Sequence, residues 1–167
     1  MGSIQSLLAI GAIILFALIS IRFNSSVLQN STVEIENKVY LTAFSLADDL
    51  IEEMKQKSFD ESTAKALRIV ALTSLTEPAQ LGYESGEVWP NFNDIDDYNG
   101  FSKPVSLPHA ENFEVLCKVR YFDPANPELE NPGRTFYKKV EIEVSSPYMR
   151  TPVKMGFVFS MHSKLKG

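Results

Sequence analysis

The chain has 167 residues and a formal net charge of −5, which fits one domain with its own core and is short for two. One cysteine, Cys117, excludes an internal disulfide and a multi-cysteine zinc site. The basic residues are interspersed with strand-like sequence rather than gathered in a run, so nucleic acid is excluded as an expected partner. These residues are Lys118, Arg120, Lys138, Lys139 and Lys154.

The first segment of the chain is apolar and uncharged from Gly2 to Ile21, and between Leu7 and Ile21 only Gly11 and Ser20 are not hydrophobic. A helix needs about 20 residues, each rising about 1.5 Å, to cross a bilayer core. The segment lacks the basic stretch and cleavage site of a secretory signal peptide. We therefore expect residues 1–22 to form an uncleaved transmembrane helix whose flanking charges leave its orientation open.

Residues 23–57 are expected to continue this helix in amphipathic form. A single helix from about Ser3 to about Lys57 would be roughly 80 Å long. The polar residues Asn24 to Ser26 and Gln29 to Thr32 predict a bend or local melting, because such side chains compete for backbone hydrogen bonds. Apolar residues recur three and four positions apart, which predicts one packed stripe: Val39, Ala43, Leu46, Ala47, Leu50, Ile51 and Met54.

Residues 58–167 are expected to form a β-rich head domain. The stretch Thr63 to Leu75 suits a helix or a strand equally. Glu77 to Pro108 is rich in Pro, Gly, Asn and Asp, which predicts a long ordered loop across the domain surface. Alternating patterns then predict three strands, Phe113 to Phe122, Thr135 to Ser145 and Val153 to His162.

Each of these strands has one apolar face. Proline-containing connections at residues 123–133 and 146–152 predict an antiparallel meander, over which the helix stripe would pack in an α+β fold. Cys117 falls on the inner face of the first strand, where a buried, inert thiol is expected. The three inner faces are Phe113, Val115, Cys117, Val119 and Tyr121; Phe136, Val140, Ile142 and Val144; and Val153, Met155, Phe157, Phe159 and Met161.

Few residues suit catalysis or metal binding. The two histidines, His109 and His162, have no serine or cysteine elbow beside them, so we expect no enzymatic activity. The oxygen-rich group Asp94, Asp96 and Asp97, with Asn93 and Asn99, has the donors that calcium prefers. The alternative, which we favour, is that these side chains cap turns. Calcium is thus a minor hypothesis and no other cofactor is expected.

The whole pattern resembles type IV pilins and the pseudopilins of type II secretion, in which an apolar helix continues into an amphipathic half that packs on an antiparallel sheet. Internally it is similar to minor pilins of the mannose-sensitive haemagglutinin type. That similarity is carried by Leu46 to Glu53 with Phe59-Asp60-Glu61, by Phe92 to Gly100, and by Pro152-Val153 leading into Phe157 to Ser160.

The start of the sequence departs from this family. Pilins usually have a short basic leader ending in glycine and, after cleavage, a glutamate near the new amino end that neutralises a neighbouring subunit's terminus. Gln5 occupies that position if Met1 is the mature end, and Leu7 occupies it if cleavage follows Gly2. Because Gln5 could only donate or accept a hydrogen bond, the usual processing or assembly machine is not assured.

The resemblance implies a structural subunit of a pilus or pseudopilus. Such a subunit is single-pass in the bacterial inner membrane before assembly, and then part of an extracellular or periplasmic filament. Its partners would be copies of itself or other pilin-like subunits, the membrane and the assembly machinery. The rival hypothesis is a membrane-tethered binding module that uses the loop Glu77 to Pro108. The residues expected to carry assembly are Gln5, Leu7, Leu8, Ile10, Ile13, Ile14, Phe16 and Leu18.

Overall fold

The computed structural model describes residues 2–64, 70–107 and 110–161. Contacts divide the chain into two compact units, residues 1–39 and residues 40–167. Helix α1 runs from Ser3 to Lys55 and contributes to both units. The second unit contains the sheet and the part of α1 that follows Val39.

Helix α1 is continuous over 53 residues, which confirms the predicted long helix with its end two positions before Lys57. The predicted local melting at Asn24 to Ser26 and Gln29 to Thr32 is wrong, because both stretches are helical, and the alternative of a bend there stays a prediction. Thr32 shows how polar side chains are accommodated: its hydroxyl donates to the carbonyl of Leu28 at 3.0 Å, one turn earlier. A hydroxyl that hydrogen-bonds to a carbonyl of its own helix leaves the backbone N–H groups of that helix to their usual acceptors.

The second unit is built on a four-stranded antiparallel sheet in the order β1-β2-β4-β5, with β3 paired to the end of β2. The predicted meander is confirmed for β2, β4 and β5, although His162 lies outside the described residues. The strands are β1 Ser102–Leu107, β2 Ala110–Asp123, β3 Asn126–Glu130, β4 Tyr137–Ser145 and β5 Val153–Ser160.

Two strands lie where we expected connections. Strand β1 falls in the predicted loop Glu77 to Pro108, and β3 falls in the predicted connection 123–133. In β1 the inner positions Lys103, Val105 and Leu107 are only half-buried, so its alternation is weak. Pro104 is tolerated because β1 is an edge strand. The sequence pattern of an edge strand is less apolar because part of it faces water.

The core lies between the second half of α1 and the inner face of the sheet, as expected. Cys117 is buried and free, and burial raises the pKa of its thiol to about 12, which confirms an inert thiol. The α1 stripe is buried except for Leu46, which is half-buried. The buried helix residues of the second unit are Ala43, Ala47, Leu50, Ile51 and Met54, and those of the sheet include Phe113, Val115, Val119, Tyr121, Val140, Ile142, Val144 and Phe159.

The predicted surface loop holds for residues 77–91, where no residue is buried, but the segment from Phe92 to Tyr98 is not a surface loop. Phe92, Ile95 and Tyr98 are buried, and the Phe92 ring meets the Tyr98 ring edge-on with centroids 5.0 Å apart. A 3-10 helix, Asp96–Tyr98, turns the chain inward there. This segment therefore packs as part of the core. Most residues of this segment are polar, so its sequence predicted a surface loop, although its few aromatic residues are buried.

The ambiguous stretch Thr63 to Leu75 is neither one helix nor one strand in its described part. A short helix α2, Glu61–Ala64, ends at its start, and a 3-10 helix, Leu72–Ser74, lies near its end. Residues 65–69 lie outside the described residues. Val70 and Leu75 are buried, so this stretch adds side chains to the core of the second unit without adding regular structure.

Candidate functional site: an exposed apolar helix surface and a buried ion cluster

Helix α1 is the one helix in the described part of the chain that is long and apolar enough to cross a membrane. From Leu7 to Ile21 it is apolar on nearly all sides, and a helix that is hydrophobic all round needs lipid or other helices around it. The predicted assembly residues are all exposed: Leu7, Leu8, Ile10, Ile13, Ile14, Phe16 and Leu18, together with the polar Gln5.

Exposed apolar side chains continue past the length that a bilayer covers. Twenty residues from Ser3 reach Arg22, and Leu28 lies roughly 9 Å further along the helix axis. Phe23, Val27, Leu28 and Ile35 fall on one helix face about 140° wide. Their exposed fractions are 71%, 49%, 61% and 60%. The same face also carries the polar residues Asn24, Ser31 and Glu34, so the four exposed apolar side chains are interspersed with polar ones. Leu28 and Ile35 lie past the length that a single bilayer covers.

The part of α1 in the second unit also has apolar residues turned away from the sheet. Leu41 is 67% exposed and Phe44 is 51% exposed, three positions apart on the helix surface. Leu41 lies on the far side of the helix from the buried stripe, and Phe44 flanks the stripe next to Ile51. The surface of α1 therefore exposes apolar groups along both of its halves.

The second feature is a buried ion cluster centred on Lys138. This side chain is fully buried, and its ammonium donates to the Phe59 carbonyl at 2.8 Å, to Asp60 Oδ2 at 3.0 Å and to Asp96 Oδ1. The three hydrogens of the ammonium thus have three acceptors. Its Nζ also lies 4.4 Å from the centre of the Phe59 ring and 5.1 Å from that of Tyr121. The cluster is enclosed by aromatic rings and backbone.

Asp60 is the ionised carboxyl of this cluster. It is fully buried and accepts from the Ser62 hydroxyl at 2.7 Å and the Thr76 N–H at 2.9 Å. The Tyr121 hydroxyl donates to Asp60 Oδ2 at 3.2 Å. Burial alone would raise the pKa of Asp60, but attraction to Lys138 and these donors outweigh it and hold the pKa below its usual range.

Asp96 behaves in the opposite way. It has the same ammonium as a partner, yet burial and repulsion from Asp60 outweigh the attraction of Lys138 and raise its pKa to about 7. One buried cation therefore serves two buried carboxyls, of which one holds its charge and the other readily takes a proton. Such divergence between neighbouring groups is the arrangement that acid–base chemistry uses.

The predicted calcium residues Asp94 and Asp97 act as turn caps. Asp94 Oδ1 accepts from the N–H of Asp96 at 2.7 Å, and Asp97 Oδ2 accepts from the N–H of Asn93 at 2.8 Å and of Asp94 at 3.1 Å. Asn99 binds backbone as well, accepting from Val119 N–H at 3.0 Å. This is the alternative that we favoured from the sequence.

A group of carboxylates does come together near this turn, but it contains only one of the predicted residues. Oxygens of Glu84, Glu87 and Asp97 lie within 4.8 Å of one another, whereas Asp94 and Asp96 are not part of that group. Burial, together with Glu87 and Asp97, raises the pKa of Glu84 to about 7. Calcium binding at Asp94, Asp96 and Asp97 stays a prediction.

Helix α1 is tied to this segment through Glu53. Glu53 Oε1 accepts from the Tyr98 hydroxyl at 2.6 Å and from the Trp89 indole N–H at 3.2 Å. Burial and the Glu53 carboxylate raise the pKa of Tyr98. The half-buried Glu53 therefore positions the segment that supplies Asp96 against the helix.

Sequence reasoning missed Lys138, Asp60 and Tyr121 as a group. One signal was available: Lys138 occupies the inner register of β4, between Phe136 and Val140, where a cation needs a buried partner. Its two carboxyl partners come from 78 and 42 residues earlier in the chain. No local pattern identifies them. His109 and His162 lie outside the described residues.

The sequence matches no protein-family model, and comparison with curated proteins and with solved structures gives no significant match.

Proposed function

We propose that this protein is a structural, pilin-like subunit that assembles into a pilus or pseudopilus filament through α1. In this proposal the helix first holds the subunit in a membrane, and afterwards packs against the helices of copies or of similar subunits. The resulting filament is extracellular or periplasmic. The β-rich second unit would then form the outer surface, and no catalytic step is part of the function.

The observation that carries the proposal is that exposed apolar side chains continue along α1 past the membrane-spanning length. Between helices in lipid there is no hydrophobic driving force, because the lipid chains are equally apolar. Phe23, Val27, Leu28 and Ile35 lie beyond that environment. Burying each against a neighbour gains about 2 kcal/mol. A tethered monomer would leave these side chains in water, whereas a bundle of subunits covers them.

A matched pair of substitutions tests this proposal. Leu28→Lys places a charge among the exposed apolar side chains of α1. The position lies past the roughly 20 residues that cross the bilayer. We expect membrane insertion to persist and fibres to disappear from negatively stained surface preparations. Gln29→Lys, at a neighbouring position that is already polar, is the control and should leave fibres intact. The charged substitution Ile14→Lys should also abolish fibres while the second unit stays folded.

The rival function, a tethered binding module, is favoured by one observation. Tyr83, Val88 and Trp89 are exposed at 61%, 63% and 38% on the segment between residues 77 and 100. Such side chains suit a partner surface. Fibres that depend on this chain and vanish with Leu28→Lys support assembly. A detergent-soluble monomer that behaves identically with Leu28 or Lys at this position supports the module.

A further inference from the structure

The Lys138 cluster brings an amine and two carboxyls together inside a dry core. Lys138 and Asp60 are 0% exposed and Asp96 is 1% exposed. The Lys138 Nζ contacts Asp96 Oδ1 directly and lies 3.0 Å from Asp60 Oδ2. The strand β4 holds the lysine, the 3-10 helix Asp96–Tyr98 holds one carboxyl, and the chain after Phe59 holds the other. Reacting groups fixed at such distances have very high effective concentrations.

The two carboxyls have different surroundings and suit different roles. Asp60 accepts five hydrogen bonds, from Ser62 (two), Thr76, Tyr121 and Lys138, which stabilise its ionised form. Asp96 has fewer donors, since its Oδ1 accepts from Lys138 while its buried Oδ2 has no hydrogen-bond partner. Its raised pKa means that the protonated acid, which is the electrophilic form, is populated near neutrality. A desolvated lysine is the matching nucleophile.

We propose that Lys138 Nζ and Asp96 Cγ become joined by an intramolecular amide bond, with Asp60 carrying the protons. Burying two carboxyls and an ammonium carries a desolvation penalty, and their mutual attraction offsets that penalty only in part. An amide replaces the Lys138–Asp96 ion pair with a neutral group. The enclosed site also keeps bulk water away from the new bond.

The reaction balances without any outside reagent. The Asp60 carboxylate takes one proton from the Lys138 ammonium, and the freed lone pair attacks Cγ of protonated Asp96. Asp60 returns its proton to the Asp96 hydroxyl as the carbon–oxygen bond breaks, so that one water leaves. Asp60 then takes the second proton from the nitrogen. The products are an amide N–H, one water and a neutral Asp60.

The bond would fasten the segment between residues 77 and 100 to β4. That segment is otherwise anchored by aromatic packing and by the hydrogen bonds of Glu53. A covalent link across 42 residues would keep the surface of the second unit in place under load or in denaturant. This inference does not depend on whether the protein forms filaments.

The test is mass spectrometry of the purified full-length chain after its terminal peptides have been mapped. We expect a mass lower than that of the linear chain by one water, and a proteolytic fragment in which the peptide containing Asp96 is joined to the peptide containing Lys138. A mass equal to that of the linear chain, with both peptides recovered unlinked, overturns the proposal.

Three substitutions assign the atoms. In Lys138→Met the deficit should vanish, and a retained deficit places the lost water elsewhere and overturns the proposal. In Asp96→Asn the link should form with loss of ammonia instead of water. In Asp60→Asn the mass should equal that of the linear chain while circular dichroism still reports a folded domain; a linked Asp60→Asn chain removes Asp60 from the reaction. Lys139→Met, at the adjacent outward position, should keep the full deficit.

Discussion

At the scale of single residues, Lys138 is the buried cation on which two buried carboxyls of the second unit depend. Removing its ammonium, as in Lys138→Met, leaves Asp60 and Asp96 buried without a cation. Breaking a buried pair from one side costs about 3 to 5 kcal/mol, since the remaining charge keeps its desolvation penalty. We expect the free energy of unfolding to fall by about 3 kcal/mol or more, measured by urea denaturation followed by circular dichroism.

The adjacent Lys139 provides the matched control for this measurement. Its Nζ lies 3.1 Å from Glu141 on the outer face of the sheet, where ion pairs contribute about 0 to 1 kcal/mol. Lys139→Met should therefore change the unfolding free energy by less than about 1 kcal/mol. Equal losses in the two variants would contradict a special role for the buried lysine.

A second residue, Asp94, makes stability depend on pH. Burial, followed by repulsion from Asp96 and Asp97, outweighs the attraction of Lys138 and raises its pKa to about 8. Its unfolded pKa is about 3.9. Between these values the folded state binds more protons than the unfolded state, so the unfolding free energy falls as pH rises. We expect the melting temperature to be at least ~3 °C higher at pH 5.5 than at pH 8.5.

The substitution Asp94→Asn should reduce this slope, and the remaining slope comes from Asp96 and Glu84, whose pKa values are also raised. The amide oxygen can still accept from the N–H groups of Asp96 and Asp97, but the side chain no longer ionises. The exposed Asp49→Asn should keep the slope. Asp60 does not contribute to this slope. Because its pKa is lowered, its protonation reduces the unfolding free energy only at pH values below the usual pKa range of an aspartate. A slope unchanged by Asp94→Asn would contradict this assignment.

The sequence could not identify the members of the Lys138 cluster, because tertiary packing determines which carboxyls lie next to the lysine. A lysine in an inward register position signals a buried ion pair, but the register does not say which carboxyl is its partner. Asp60, Asp94, Asp96 and Asp97 are indistinguishable by residue type. Only tertiary packing gives Asp60 its donors and leaves Asp96 with a raised pKa. The acidic group was predicted mainly as turn caps, as the hydrogen bonds of Asp94 and Asp97 confirm, whereas the ion pair of Asp96 with Lys138 was not predicted.

At the scale of secondary structure, the close packing of α1 on the sheet depends on small residues. Ala47 is fully buried in the stripe that faces the core. Inserting methylene groups into a well-packed core typically costs about 1 to 3 kcal/mol. We expect Ala47→Leu to lower the unfolding free energy by about 2 kcal/mol in chemical denaturation. Ser45→Leu, on the exposed side of the same helix, should change it by less than about 0.5 kcal/mol.

The elements that were predicted correctly share a physical cause. In α1, β2, β4 and β5 one face is buried and the other is wet, so the sequence repeats with the period of the backbone. Strand β1 escaped prediction because its inner positions are only half-buried, and β3 because its five residues are mostly polar. Burial of the segment from Phe92 to Tyr98 depends on isolated aromatic residues, which have no period to detect.

At the scale of the whole molecule, the distribution of burial predicts which part of the chain folds independently. Among the described residues no buried side chain precedes Val39, and the sheet with its helical stripe lies in residues 40–167. A chain that begins at Tyr40 keeps Ala43, Ala47, Leu50, Ile51 and Met54. We expect it to unfold cooperatively within about 5 °C of the full-length protein, because about 1 kcal/mol corresponds to a few degrees.

The same truncation separates folding from association. The first 39 residues carry the apolar surface that needs lipid or partner helices, so the shortened chain should stay monomeric without detergent. Size-exclusion chromatography with light scattering measures this directly, and Leu41→Ser with Phe44→Ser tests whether the remaining exposed apolar pair causes any residual self-association. A shortened chain that melts without a cooperative transition would show that residues 1–39 are needed to hold the sheet and its helix together.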